Sequence, residues 1–266
     1  MSLAGIKVVI LAGGFGTRIS EETLYKPKPM VEIGNKPILW HIMKYYSMFG
    51  IKDFIICLGY KAEYVKSYFA SYNIRNADFT VNLKTGCVEF LDYSAEDWNV
   101  SLVDTGLSTM TGGRIKRIKK LVENDEMFLL TYGDGVADVD LFELVRTHRD
   151  ENALVTLTAV EPPMRFGVVE VGESRTVLAF DEKSQNTKHG TLINGGYFVL
   201  NPESLDFIEG DATSWEVEPL RSIAEAGRLA AYRHSGFWQC MDSQRDQLLL
   251  EDLVKSGRAP WMTWIA

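Results

Sequence analysis

The feature that most constrains the fold is an apolar run that ends in glycines. Residues 6–12 (IKVVILA) are almost wholly apolar, and GGFGTR (13–18) follows them directly. A short continuous apolar run is typical of a strand buried on both faces of a parallel sheet. Ligands of open α/β sheets lie beyond the carboxyl ends of such strands. Residues 11–18 are therefore expected to border a binding site.

Strand-like and helix-like segments alternate along the chain. The pattern predicts strands over residues 6–12, 53–58, 127–131, 154–160, 167–171, 176–181 and 197–200. It predicts helices over residues 37–49, 61–70, 139–149, 215–226 and 243–256. This alternation favours an α/β fold: an open, mixed and mostly parallel Rossmann-like sheet flanked by helices. Closely spaced strands in the second half predict a small added β-rich, antiparallel portion.

The helix patterns also predict which side chains face inward. For the first two helices these are Ile38, His41, Ile42, Tyr45 and Tyr46, then Tyr64, Val65, Tyr68 and Phe69. His41 is expected to be a hydrogen-bonded core residue, since no histidine spacing suggests a metal. Phe237 and Trp238 are expected in the core or in a cavity wall. Trp261 and Trp264 fit a subunit interface or the interior of one subunit equally well.

Composition excludes several classes of function. A net charge of −8 argues against binding to a nucleic-acid backbone, which needs clustered Lys and Arg. The three cysteines lack metal-ligand spacing, which argues against a zinc site or a disulfide framework and favours a cytoplasmic location. No apolar run reaches the length of about 18 residues that crosses a bilayer, so no membrane partner is expected.

The residues after the glycines predict a cradle for phosphate groups. Glycines let the backbone approach a ligand closely, and consecutive N–H groups form a concavity that binds anions. Arg18 can contact two phosphate oxygens at once, and Lys28 adds positive charge on a segment stiffened by prolines. Lys26 suits the same role or that of a solvated loop lysine. Walker A is excluded because no GK[ST] follows, and Ile19 breaks the dinucleotide fingerprint GxGxxG.

Motifs along essentially the whole chain resemble those of the sugar-1-phosphate nucleotidyltransferases. The signature pair is GGFGTR (13–18) and KPKPM (26–30). Further landmarks are VDTG (103–106), TGGR (111–114), YGDG (132–135), DEK (181–183), NGGYF (194–198) and FWQCMDSQRD (237–246). Residues 21–46, 104–117, 131–140 and 259–264 most resemble the subgroup that uses CTP and glucose 1-phosphate.

The resemblance implies a reaction and a domain plan. CTP and α-D-glucose 1-phosphate would give CDP-glucose and pyrophosphate, with Mg²⁺ as cofactor and with a homo-oligomer as the assembly. The product would feed synthesis of deoxysugars of cell-surface polysaccharide. The chain would form one domain with the nucleotide-diphospho-sugar transferase fold over residues 1–266. Its nucleotide-binding part would cover residues 1–135, and its sugar-binding and C-terminal part residues 136–266.

The resemblance also implies roles for individual residues. Arg18 and Lys28 would be catalytic, Arg18 at the leaving pyrophosphate and Lys28 between the reacting phosphates. Implied nucleotide-binding residues are Leu11, Ala12, Gly13, Gly14, Gly16, Thr17, Thr109 and Arg114. The implied sugar-phosphate site holds Glu182, Lys183, Asn194 and Gly195, with Ser184 where many relatives have proline. Asp134 and Asp242 would be the ligands of Mg²⁺.

Several of these residues have a second interpretation from the sequence alone. Asp134 and Asp242 suit a turn or a helix cap, and Arg114 suits the surface of a basic helix. Asp104, near a predicted strand end, suits a metal or a structural role. The base also stays open, because one side chain shifts such a preference by about 1–3 kcal/mol, so dTTP or UTP is the alternative to CTP. A non-catalytic nucleotide-binding subunit is the rival of a different class.

Overall fold

The structure is a computed structural model that describes residues 2–16, 23, 25–91, 95–162, 168–171, 177–181 and 191–265. Its strands are β1 (Lys7–Leu11), β2 (Glu32–Ile33), β3 (Lys36–Pro37), β4 (Asp53–Leu58), β5 (Phe79–Asn82), β6 (Cys87–Phe90), β7 (Asn99–Asp104), β8 (Phe128–Tyr132), β9 (Gly135–Ala137), β10 (Val155–Val160), β11 (Val168–Val171), β12 (Val177–Asp181), β13 (Ile193–Leu200), β14 (Leu229–His234) and β15 (Trp238–Cys240).

The α-helices are α1 (Ile38–Ser47), α2 (Ala62–Ala70), α3 (Tyr72–Asn76), α4 (Thr111–Arg117), α5 (Lys119–Val122), α6 (Leu141–Asp150), α7 (Glu218–Glu225) and α8 (Gln244–Lys255). Short 3-10 helices cover Lys28–Met30, Pro202–Phe207 and Thr263–Ile265. Among the helices of these described ranges, none combines the length and the apolar character needed to cross a membrane.

A seven-stranded sheet in the order β14-β10-β13-β8-β1-β4-β7 forms the centre of the fold. Within this sheet β13 runs antiparallel to β8 and β10, and every other neighbouring pair is parallel. The predicted mixed, mostly parallel sheet is confirmed. The predicted antiparallel portion is present as well, in β13 and in the separate β11–β12 pair. Strands from both halves of the chain join this one sheet.

The sheet is covered on both faces, as the apolar run of β1 predicts. Val8 and Ile10 pack into the core on the face of α1, whereas Val9 and Leu11 pack into the core on the face of α4. Val8, Val9 and Ile10 are fully buried. Successive side chains of a strand point to opposite faces, so only an uninterrupted apolar run can satisfy two covered faces.

Four strand ends meet at one edge, which we call the carboxyl edge. Because β8, β1, β4 and β7 are parallel neighbours, their carboxyl ends lie side by side, and residues 12–13, 59, 105 and 133 follow them. The antiparallel β13 begins at this same edge and brings Asn194 there. Residues far apart in the sequence thus converge at one place.

The structure corrects two expectations about helices. The helix predicted over residues 215–226 begins at Glu218, because Pro219 has no N–H and is tolerated only in the first turn. Trp215 precedes that helix and is fully buried, 6.4 Å from the Phe198 ring. Tyr64, predicted to face inward, is 41% exposed. The buried positions of α2 are Ala62 and Val65, which turn Tyr64 towards solvent.

Several strands lack the apolar pattern that would have predicted them. The β5–β6 hairpin is exposed along both strands, and the edge strands β7 and β14 are only partly buried. Strand propensity reflects a half-buried, pleated surface, so such strands carry a weak sequence signal.

His41 is a core residue with both ring nitrogens hydrogen-bonded, as predicted. It is 1% exposed, its Nε2 donates to the Ile33 carbonyl (2.7 Å), and its Nδ1 accepts from Trp261 Nε1 (3.3 Å). Trp261 is fully buried in this chain, which settles the two interpretations of that residue in favour of the subunit interior. A proton on Nδ1 would face the Trp261 N–H, so this geometry requires neutral histidine.

The unfolding free energy is predicted to fall as the pH is lowered from about 7 to 5. Burial lowers the pKa of His41 below its ordinary value, so the unfolded chain takes up a proton at a higher pH than the native protein does. Urea unfolding across this range should show a slope that His41→Gln reduces, by at most about 1.4 kcal/mol per pH unit.

His234→Gln is the matched control of opposite sign. Burial lowers the pKa of His234, but hydrogen bonds to Asp138 and to the Phe237 carbonyl more than offset this and leave it raised. His234 therefore stabilises the folded state at low pH, and this contribution disappears as the pH rises through the folded pKa. The free energy of unfolding of His234→Gln should accordingly fall more steeply, as the pH is lowered, than that of the unchanged protein. Equal slopes in all three proteins would contradict the assignment.

Candidate active site

A cavity of about 780 Å³ opens at the carboxyl edge. The predicted site residues that line it are Leu11, Ala12, Gly13, Gly14, Gly16, Lys28, Thr109, Arg114, Asp134, Asn194 and Asp242. Gly195 lies beside it, where its carbonyl accepts a hydrogen bond from Trp238 Nε1 at 2.6 Å. Trp238 is a wall residue, which was one of its two expected places. Thr17, Arg18, Glu182 and Lys183 lie outside the described residues.

Lys28 is held between the two predicted metal ligands. Its ammonium Nζ donates to Asp134 Oδ2 at 2.6 Å and to Asp242 Oδ1 at 2.7 Å. Lys28 is only 9% exposed. Burial disfavours its charged form, but the carboxylates of Asp134 and Asp242 more than offset this and raise the pKa of Lys28. Two carboxylates that converge on one ammonium group form a site that is suited to binding a cation.

A small two-stranded sheet brings the two aspartates together. Strand β9 pairs antiparallel with β15, with Gly135 opposite Cys240. One further backbone hydrogen bond extends this pairing: the Met241 N–H donates to the Asp134 carbonyl at 2.8 Å. Asp134 and Asp242 adjoin the same end of this two-stranded sheet. The backbone pairing therefore brings together two side chains that are far apart in the sequence.

Asp246 fixes the backbone on which Asp242 stands. Asp246 Oδ2 accepts from the N–H of Asp242 (3.1 Å) and from the N–H (2.8 Å) and hydroxyl (2.8 Å) of Ser243. Ser243 and Asp246 form the capping box of α8, so Ser243 is the cap of this helix and Asp242 is not. The Asp242 side chain instead points to Lys28 and accepts from the Cys240 thiol at 3.5 Å.

Lys28 enters the site from a rigid segment. It opens the 3-10 helix Lys28–Met30, with Pro27 before it and Pro29 after it. Proline fixes its own φ and restricts the residue before it, so this turn has few alternative conformations. Lys26 precedes this turn, is half-exposed and is not a lining residue of the cavity.

Arg114 is buried, which contradicts its interpretation as a surface arginine of a basic helix. Its guanidinium is hydrogen-bonded mainly to main-chain carbonyls. Nη1 donates to Leu58 O (3.0 Å), Gly106 O (2.8 Å) and Thr105 Oγ1 (2.8 Å), and Nη2 donates to Gly13 O (3.0 Å) and Leu107 O (3.3 Å). The guanidinium thereby ties together the turns after β1, β4 and β7.

This packing explains two of the glycines. A Cβ on Gly13 would lie 2.2 Å from Arg114 Nη1, and one on Gly59 would lie 2.5 Å from the same atom. Neither contact is possible for a larger residue unless the guanidinium leaves. The first glycine of GGFGTR is therefore required by the arginine beneath it as well as by the cavity above it.

Arg114 also gives the cavity floor a positive charge. Burial lowers the pKa of this guanidinium, which nevertheless stays protonated because its ordinary pKa is so high. Within the described residues, its hydrogen-bond partners are carbonyls and a hydroxyl. Asp104 lies close enough to act on this charge, but no carboxylate in the described part of the chain is hydrogen-bonded to it, so the buried cation favours an anionic ligand nearby.

Of the two roles that the sequence suggested for Asp104, metal ligand and structural residue, the structure supports the structural one. Its Oδ1 accepts from the Gly106 N–H at 2.9 Å and closes the turn after β7. Thr109, in the loop after that turn, is 9% exposed and lines the cavity.

Sequence reasoning missed several polar lining residues, among them Tyr132 and Glu216. Tyr132 and Glu216 are neighbours in the cavity wall, where the Tyr132 hydroxyl donates a hydrogen bond to Glu216 Oε1 at 2.7 Å. Tyr132 lies inside the motif YGDG, so its position next to Asp134 was the available signal. Glu216 carries no signal, since it sits in a turn between a buried tryptophan and the start of α7.

This fold and this site define an α/β protein with a cavity at the carboxyl edge of its sheet, lined by a lysine, an arginine and two aspartates, and comparison with known proteins identifies the class. The family model described as Nucleotidyl transferase matches residues 7–239. The chain therefore belongs to the nucleotidyl transferase family.

Two curated relatives are similar to the chain over nearly its whole length. The chain is 54% identical, over 97% of its length and 100% of the relative, to glucose-1-phosphate cytidylyltransferase of Salmonella typhi. It is 42% identical, with the same two coverages, to a probable glucose-1-phosphate cytidylyltransferase of Bacillus subtilis. A crystal structure of UDP-glucose pyrophosphorylase complexed with UDP-glucose superposes with a TM-score of 0.66 at 18% identity, over 95% of this chain and 99% of that one. This last likeness confirms the predicted nucleotide-diphospho-sugar transferase fold.

Arg114→Lys is predicted to lower the free energy of unfolding by about 2–4 kcal/mol, because buried acceptors that lose their donor cost about 1–3 kcal/mol each. An ammonium donates three hydrogen bonds and cannot reach the acceptors that the planar guanidinium spans. Urea unfolding measures the difference.

Arg117→Lys is the control on the same helix, since Arg117 is exposed and pairs with Asp211 on the surface. Its stability should match that of the unchanged protein. Equal losses in the two variants would show that Arg114 is not the brace of this edge.

Proposed function

We propose that the chain transfers the cytidylyl group of CTP to the phosphate of α-D-glucose 1-phosphate, forming CDP-glucose and pyrophosphate. One observation carries the chemistry: Lys28 lies between Asp134 and Asp242 in a cavity floored by the Gly13 turn. The choice of substrates is supported by the relative of Salmonella typhi, whose 54% identity extends over its full length.

The reaction requires positioning and charge neutralisation more than acid–base catalysis. An oxygen of the sugar phosphate forms a bond to the α-phosphorus of CTP, and the bond from that phosphorus to the bridging oxygen of pyrophosphate breaks. A phosphate monoester dianion is already a nucleophile, so no side chain has to remove a proton. The protein must hold two anions in line and offset their repulsion.

The nucleotide half of the site is assigned to the Gly13 turn and its neighbours. Residues 13–16 line the cavity, and main-chain N–H groups of such a glycine-rich turn suit phosphate oxygens. Arg114 fixes this turn from below. Thr109, Thr17 and Arg18 complete the proposed nucleotide site, with Arg18 at the leaving pyrophosphate.

The sugar half of the site is assigned to the start of β13 and to the EK pair. Asn194 lines the cavity and suits a sugar hydroxyl. Glu182 and Gly195 are proposed to contact the sugar, and Lys183 its phosphate. Lys28 lies between the two halves, where an ammonium stabilises charge on both reacting phosphates.

The donor set at Lys28 fits magnesium. Mg²⁺ prefers hard oxygen ligands, commonly one or two carboxylates together with substrate phosphates and water. Asp134 and Asp242 supply two carboxylates that already converge on a single cation. Within the described residues no larger group of ligating side chains is present, so phosphate oxygens and water would complete the shell. Bound there, Mg²⁺ supplies positive charge to the phosphate oxygens.

The location and the assembly stay predictions. The three cysteines are free thiols, which suits the cytoplasm expected from the sequence. The homo-oligomer implied by the resemblance is testable by light scattering of the purified chain.

Pyrophosphate release with glucose 1-phosphate and Mg²⁺ is predicted to be fastest with CTP. We expect kcat/KM for CTP to exceed that for UTP and dTTP by about tenfold or more, the factor that a few base contacts supply. The assay compares the three nucleotides at equal concentrations. A higher value for UTP or dTTP would keep the chemistry and reject the cytidylyl assignment. Binding of CTP without any release would favour a regulatory subunit.

Lys28→Ala is predicted to lower kcat by about 100-fold to 1,000-fold, the cost of losing one preorganised electrostatic contact. Lys26→Ala is the matched control on the same segment, and we expect it to keep kcat within about threefold, as for a surface change. Pyrophosphate release measures both. Equal losses in the two variants would mean that Lys28 has no special position.

A further inference from the structure

Three hydroxyl side chains donate hydrogen bonds to one carboxylate in the cavity wall, that of Glu216. Glu216 Oε1 accepts from the Tyr132 hydroxyl at 2.7 Å. Glu216 Oε2 accepts from the hydroxyls of Thr111 (2.6 Å) and Ser214 (2.9 Å). The arrangement links the start of α4, on the nucleotide side of the cavity, to the carboxyl end of β8.

The Tyr132 ring is held from below as well as at its hydroxyl. It lies over Gly196, where a Cβ would be 2.5 Å from its Cδ2. Gly196 has φ of +80°, a conformation that side chains other than glycine rarely adopt. The ring also meets Phe198 edge-on at 6.0 Å between centroids. The hydroxyl therefore has one well-defined position.

That hydroxyl also contacts Asn194, at the start of β13. Asn194 Nδ2 donates to the Tyr132 hydroxyl oxygen at 3.4 Å, and Asn194 Oδ1 accepts from the Gly196 N–H at 2.8 Å. These two contacts select one orientation of the amide. One N–H of the amide points to Tyr132, and the other remains for a ligand in the cavity that Asn194 lines.

We infer that Tyr132 and Glu216 are positioning residues that orient Asn194 as a hydrogen-bond donor to a hydroxyl group of the sugar phosphate. The inference rests on the proposed function, since Asn194 is the sugar contact proposed there. Glu216 acts through Tyr132: its carboxylate accepts a hydrogen bond from the Tyr132 O–H, and the lone pairs of the phenolic oxygen are then left to accept from Asn194. Neither residue touches the reacting phosphorus.

The geometry suits positioning better than stabilisation of the fold. Glu216 is exposed to the cavity, and a hydrogen bond at an exposed carboxylate contributes little to stability. Four elements nevertheless contribute hydroxyl or amide groups to the set: β8, β13, α4 and the turn before α7. Such a set defines the direction of one donor at small energetic cost.

The test is a kinetic comparison of Tyr132→Phe, Glu216→Gln, the double variant and Asn194→Ala, each with one substrate varied at saturation of the other. Tyr132→Phe and Glu216→Gln should each raise KM for glucose 1-phosphate by about threefold to tenfold, the effect of one misdirected hydrogen bond. KM for CTP and kcat should stay within about twofold, the scatter expected of a contact remote from the chemistry.

The double variant tests whether the two residues act in series. Its KM for glucose 1-phosphate should match that of Tyr132→Phe within about twofold, because residues that work through one contact are not additive. In the Asn194→Ala background, Tyr132→Phe should change nothing further. Additive effects would show that Glu216 contacts the sugar by itself and would overturn the inference.

Tyr72→Phe is the matched control. Its hydroxyl accepts from Trp40 Nε1 at 2.9 Å, in a cluster that does not line the cavity. It should leave both KM values unchanged. If Tyr132→Phe instead lowers the melting temperature and raises both KM values together, its role is structural and the inference fails.

Calorimetric titration with glucose 1-phosphate separates this inference from the proposed function. A wild-type protein that binds glucose 1-phosphate yet releases no pyrophosphate with any nucleotide would refute the proposed function alone. The weaker binding expected of Tyr132→Phe and Glu216→Gln would then still support the inference. A wild-type protein that does not bind the sugar phosphate would overturn both.

Discussion

The ion pair of Lys28 with Asp134 and Asp242 is the interaction around which the cavity is organised. It joins three segments: the proline-braced turn after β1, the end of β8 and the turn before α8. Removing a partner from such a pair is costly because it leaves a poorly solvated charge behind. The same convergence of charge makes the place suitable for polyphosphate, since an ammonium and two carboxylates can exchange partners with phosphate oxygens and a divalent cation.

Arg114 supplies the second constraint, from beneath the cavity. Its guanidinium joins main-chain carbonyls of the turns after β1, β4 and β7, so these turns are held by one side chain that the ligand does not have to order. Donors fixed before the ligand arrives cost no reorganisation during the reaction. The glycines at positions 13 and 59 fit this brace, since any Cβ there would collide with the guanidinium.

Much of the fold follows from local pattern, and most of the site does not. The buried β1 and the helix α1 were predictable because continuous apolar runs and an apolar helix face report burial directly. Asp134 and Asp242 were assigned by resemblance; their convergence depends on the β9–β15 pairing, which no spacing in the sequence reveals. The burial of Arg114 was hidden because RIKRIKK is also the pattern of a solvated helix. Glu216 was hidden because its partners are hydroxyls from other elements.

The measurement that tests the account most directly is Mn²⁺ binding, followed by electron paramagnetic resonance, with and without a non-hydrolysable CTP analogue. Binding to the protein alone should be weak, because the Lys28 ammonium already occupies the position between the two carboxylates. With the analogue, affinity should rise by about tenfold or more above that of the nucleotide in solution, and Asp134→Asn should abolish the gain. Equal Mn²⁺ affinity with and without the analogue would contradict the claim that Lys28, Asp134 and Asp242 form a cation site completed by nucleotide.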